Sequence, residues 1–88
     1  MRILVAGNSN QLMDTLESLR ATDPEACIVG QALNEGELLL EARSLQPELI
    51  LLPWSFRSRL TSEWAAYLSA ISGGARIMAV YTPDHEGG

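Results

Sequence analysis

The run Leu49-Ile50-Leu51-Leu52 restricts the possible architectures more than any other stretch of this 88-residue chain. Four branched apolar residues in a row, with no polar residue between them, cannot form a strand with one wet face. They fit a strand covered on both sides, near the middle of a parallel sheet with helices above and below. In open parallel sheets, ligands and chemistry sit beyond the carboxyl ends of the central strands. The residues that leave the run are Pro53-Trp54-Ser55-Phe56. A proline stands where a catalytic domain would present a reactive side chain, so no catalytic residue is expected at this address.

The flanking segments supply the rest of such a sheet. Arg2 to Ala6 is a short apolar strand ended by the turn-forming residues Gly7-Asn8-Ser9-Asn10. From Gln11 to Ala21, Leu12, Leu16 and Leu19 fall at helical spacing with Met13 beside them, and Thr22-Asp23-Pro24 stops the helix. Ala26 to Gly30 reads as a second strand. Asn34 opens a second helix, with Glu37 three positions on in a capping-box-like spacing. Leu38, Leu39, Ala42 and Leu45 form its apolar face, and Pro47 closes it. Beyond the third strand and Phe56, Arg57-Ser58-Arg59 reads as a polar loop. Leu60, Trp64, Tyr67, Leu68 and Ile71 then mark an amphipathic third helix, with Trp64 and Tyr67 expected in its buried stripe. Gly73-Gly74 ends that helix, and Arg76 to Tyr81 is the fourth strand. The expected order is βαβαβαβ, an α/β domain over residues 1–82 with right-handed crossovers, and 83–88 is a tail or the start of a linker.

Composition bounds the function. A chain of this length buries about 60–65% of its unfolded surface, and with 47% apolar residues but one Phe its core is aliphatic. Six arginines, no lysine and 11 acidic residues give a net charge of −5, which repels a phosphate backbone and argues against nucleic acid as a partner. Cys27 has no second cysteine to pair with and lies in the apolar run Ala26-Cys27-Ile28-Val29, so it is expected to be a buried small hydrophobe in a reducing compartment. No signal-peptide pattern opens the sequence and no run approaches the ~20 apolar residues of a membrane span. A cytoplasmic location is expected.

The residues Ile3-Leu4-Val5-Ala6, Ala21-Thr22-Asp23-Pro24-Glu25 before Ile28-Val29-Gly30, and Glu41 to Glu48 before the Leu-rich strand resemble the receiver domain of bacterial two-component response regulators, a flavodoxin-like fold. Ala75 to Val80 resembles the family's fourth strand and Asp84-His85-Glu86 the start of its next helix. The resemblance implies a three-layer domain with a parallel sheet of order 2-1-3-4 and three helices. Placed on the family's pattern, the Mg²⁺-binding acidic pair falls on Gly7 and Asn8, the phospho-accepting aspartate on Pro53, and the switch hydroxyl on Tyr81, or on Thr82 with a one-residue slip. The family's conserved lysine has no counterpart. The resemblance also implies a further helix, strand and helix after Gly88. Without them the fourth strand is an unpaired edge, and Ile77, Met78, Ala79 and Val80 meet water and recruit another chain.

These readings lead to a phosphorylation-independent pseudo-receiver: not an enzyme, without catalytic residues, cofactor or metal, that works as an interaction and regulatory module in signalling. Its partner is a protein, as a homodimer or within a larger signalling assembly. Trp54, Phe56, Arg57 and Arg59 at the strand-end rim and Ile77 to Val80 at the sheet edge are the candidate interaction residues. A rival reading is a small-molecule or nucleotide sensor that uses Asn8, Ser9, Arg57 and Arg59. Another is the N-terminal part of a larger response regulator or of an ATPase with an atypical receiver domain. His85 has no companion ligand at zinc spacing, and Asp14, Glu17 and Asp23 read as a polar face.

Overall fold

The structure, a computed structural model, describes residues 1–7, 12–57 and 61–80, except for the side chains of Ser55 and Arg57. Four parallel strands form one sheet: β1 (Arg2–Ala6), β2 (Cys27–Ala32), β3 (Leu49–Pro53) and β4 (Arg76–Val80), in the order β2-β1-β3-β4. The helices are α1 (Met13–Thr22), α2 (Glu35–Leu45), a single turn α3 (Trp54–Arg57), and α4 (Ser62–Ile71). The sheet order and the three expected helices are present, so this is a flavodoxin-like α/β fold.

β3 is buried along its whole length, as its unbroken apolar run requires. It pairs with β1 through Ile3↔Leu49, Leu4↔Ile50 and Val5↔Leu51, and with β4 from Leu49↔Arg76 to Pro53↔Val80. Proline has no N–H for a ladder bond, and it is tolerated here at the last position of the strand. Alternation divides the core into two clusters. Leu4, Ala6, Ile50, Leu52, Ile77 and Ala79 pack on the side that receives Leu38 and Ala42 of α2 and Leu68 of α4. Ile3, Val5, Leu49, Leu51 and Val80 pack on the side that receives Leu12 and Leu16, at and within α1. Among the described residues, two full helices therefore serve one face and a single one serves the other.

Local chemistry sets the helix ends. The Asn34 side chain accepts from the Glu37 N–H at 2.9 Å, and the Glu37 carboxylate accepts from the Leu33 N–H at 2.8 Å. The capping-box spacing is thus realised with the return bond one residue further back. Gln46 closes α2 in a left-handed conformation, φ 49°. Its side-chain amide donates to the carbonyls of Arg43 and Ile71 at 3.0 and 2.8 Å, tying the ends of α2 and α4 together. Gly73 and Gly74, both at positive φ, stop α4 as expected.

Several expectations need correction. The expected polar loop begins too early, because Arg57 closes α3, which follows β3 directly; Ser58, Arg59 and Leu60 lie outside the described residues. Cys27 is exposed rather than buried. It lies on β2, at the end of the sheet, where an apolar run is covered on fewer sides than in β3. Tyr67 is 57% exposed and Met13 is 43% exposed, because the apolar stripe of each helix is wider than the surface it packs against. Trp64 does join the core, half-buried. On β4, Met78 is 39% exposed, but Ile77, Ala79 and Val80 are half-buried, each packed on a core cluster. Helix α1 starts at Met13 and β2 extends to Ala32, both shifted from the expected bounds. No helix among the described residues is long and apolar enough to cross a membrane.

Candidate functional site

The carboxyl ends of the two central strands, β1 and β3, meet at Gly7 and Pro53. Gly7 leaves β1 with φ +77°, a conformation that costs L-residues and suits glycine. Its N–H donates to the Ala32 carbonyl at 2.7 Å, and the Gln31 side-chain amide donates to its carbonyl at 2.9 Å, so the end of β2 holds this turn in place. A Cβ built on Gly7 would lie 3.2 Å from Cγ and 3.4 Å from Cδ of Pro53, and 3.9 Å from Cδ2 of Phe56. The pyrrolidine ring thus stands against the Gly7 backbone, with the buried Phe56 beside it. Among the described residues, this point of the fold is lined by the Pro53 ring and Phe56, and neither Gly7 nor Pro53 offers a carboxylate.

The remaining expected site residues divide sharply. Trp54 and Phe56 share one helical turn, yet Trp54 is 50% exposed while Phe56 is 5% exposed. Asn8, Ser9, Arg59, Tyr81 and Thr82 lie outside the described residues, as does the Arg57 side chain. Ile77 to Val80 sit on β4, at the edge of the sheet and apart from the Gly7–Pro53 contact except at Val80, which pairs with Pro53. Two exposed apolar residues at the strand-end rim escaped the sequence reading. Met13 opens α1, and Leu33, 66% exposed, follows β2. The local pattern at Leu33 points the other way. An apolar residue just before an Asn cap normally packs on the residue four positions into the helix, here the fully buried Leu38, and Leu33 instead faces solvent.

No family model matches the chain and no curated protein does. Solved structures do. The signal receiver domain of the response regulator NarL from Mycobacterium tuberculosis superposes with a TM-score of 0.65 at 15% identity, over 98% of this chain and 69% of that one. The response regulator domain of Thermotoga maritima CheB superposes with a TM-score of 0.62 at 24% identity, over 99% of this chain and 64% of that one. The fold is that of a receiver domain. At these identities the likeness speaks for the architecture, and the chain spans about two thirds of the length of either receiver. Within the receiver fold, Gly7 and Pro53 end the first and third strands in sequence, which are neighbours in the sheet.

Proposed function

We propose that the chain is a pseudo-receiver: a receiver fold that carries out no phosphoryl chemistry and acts in signalling by binding another protein. The contact of Pro53 with Gly7 at the ends of the two central strands carries this reading. Phosphoryl transfer needs a nucleophile, with metal or cationic groups arranged around the moving phosphate. Proline supplies no nucleophile, glycine supplies no metal ligand from a side chain, and the chain contains no lysine. On this reading the protein is not an enzyme and needs no cofactor.

Protein binding is favoured by what surrounds the closed centre. Met13, Leu33 and Trp54 each expose a large apolar side chain at the same end of the sheet, and tryptophan is enriched among residues that dominate binding energy. The partner is a protein of the cytoplasm, either a second copy or a larger signalling protein. The reading holds equally for the N-terminal part of a longer regulator.

Incubation of the chain with Mg²⁺ and acetyl phosphate, or with beryllofluoride, tests the proposal. Intact-mass spectrometry is expected to show no phosphate increment, and tryptophan fluorescence no Mg²⁺-dependent change. A stoichiometric adduct would overturn the reading.

A further inference from the structure

We infer that the outer face of α2 docks a partner protein's helix, one that carries aliphatic residues beside lysine or arginine. The inference rests on the protein-binding reading above and names a surface and a partner chemistry for it. Helix α2 buries Leu38 and Ala42 completely. Counted from Leu33, the residues Glu37, Leu40, Glu41 and Ser44 follow at i+4, i+7, i+8 and i+11, the spacing of one helix face. Leu33 is 66% exposed and Leu40 69%, the two most exposed large apolar side chains among the described residues. A single exposed leucine is ordinary. Two in one stripe, the first of which forgoes the packing on Leu38 open to a residue before an Asn cap, mark a face that the fold itself does not use.

Charge selects the occupant. The Glu37 carboxylate accepts from the Leu33 N–H at 2.8 Å, which holds it beside the first leucine. Glu37, Leu40 and Glu41 line an open groove of about 310 Å³ with Gln31 of β2. Glu41 is half-buried there, and Gly30 makes its room: a Cβ at Gly30 would lie 2.8 Å from Glu41 Oε1 and 2.6 Å from Leu45 Cδ1. Among the described residues neither carboxylate has an ion-pair partner, and Arg43, the one basic residue of α2, sits in its last turn. A cation therefore completes the groove while an aliphatic side chain covers the leucines. A helix with both kinds of residue at i, i+3 or i, i+4 spacing supplies them together. A second copy of the chain is the wrong occupant, because two-fold contact through this face sets the carboxylates of both copies against each other. The same charges repel nucleic acid. This face flanks β2, at the opposite edge of the sheet from β4, and shares only Leu33 with the strand-end rim.

The probe is a fluorescein-labelled amphipathic peptide of leucine and lysine, about four helical turns long, titrated with the full chain at about 150 mM NaCl and followed by anisotropy. Saturable binding is expected, and the same peptide with glutamate in place of lysine is expected not to bind. Leu33→Gln and Leu40→Gln are each expected to weaken binding at least about fivefold. Glu41→Gln is expected to weaken it at least about threefold and to flatten its salt dependence. Tyr67→Gln, at an exposed apolar position on α4, is expected to change nothing. A second arm needs no substitution: amide shifts of the original chain on peptide addition are expected across residues 31–44 and not on α4. No saturable binding, equal binding of the glutamate peptide, a loss at Tyr67 as large as at Leu40, or shifts centred away from α2 would overturn the inference. The pseudo-receiver reading fails on a different result, the uptake of phosphate.

Discussion

Trp54 and Phe56 stand two residues apart on one turn and meet opposite environments, so they separate stability from recognition. Phe56→Ala is expected to cost about 3–5 kcal/mol in urea unfolding, the range for a buried aromatic, while Trp54→Ala costs under about 1 kcal/mol, as exposed positions do. Gly7→Ala meets two penalties. It forces a side chain into left-handed backbone, worth about 1–2 kcal/mol, and it sets that carbon 3.2 Å from the Pro53 ring. A loss of at least ~1–2 kcal/mol is expected in the same measurement. Cys27, exposed on β2, is expected to react with one equivalent of Ellman's reagent in the native protein, at a rate that urea below the transition leaves unchanged. Sequence reasoning handled these residues unevenly, for a physical reason. Residue type tells whether a side chain prefers to be buried, but coverage depends on where the neighbouring element stops. That is why Leu49 to Leu52 were legible while Cys27, Tyr67 and Leu33 were not.

At the scale of the element, helix α2 was readable because its start is written in chemistry: Asn34 and Glu37 bond as their spacing implies. Thr61 caps α4 in the same way, accepting from the Trp64 N–H at 3.0 Å, but the apolar Leu60 drew the expected helix start two residues too early. Asn34→Ala and Thr61→Ala are each expected to lower stability by about 1 kcal/mol, with helical circular dichroism retained. Helix α1 differs, since its cap position is Leu12, fully buried and without a side-chain cap bond; the Leu12 side chain packs into the core where a capping side chain would bond. Helix α3 was not legible at all. Four residues give too little length for a periodicity to show.

For the molecule as a whole, the layer order was legible through the receiver resemblance and the unbroken third strand, and the superposition on NarL and CheB bears it out. The Gly7–Pro53 contact could be located on that pattern, but its closeness could not, because it depends on the φ of one glycine. Leu51 and Ile50 lie at the centre with no exposure, and Leu51→Ala is expected to cost about 2–5 kcal/mol. Among the described residues, the sheet has one full helix on one face and two on the other, and this unequal layering sets an order of events. A face roofed by one helix opens to solvent at lower free energy than a face roofed by two. In deuterium-exchange experiments, the amides of α1 should therefore label ahead of those of α2, with the inner strands last, so that this small domain loosens from one side before it comes apart.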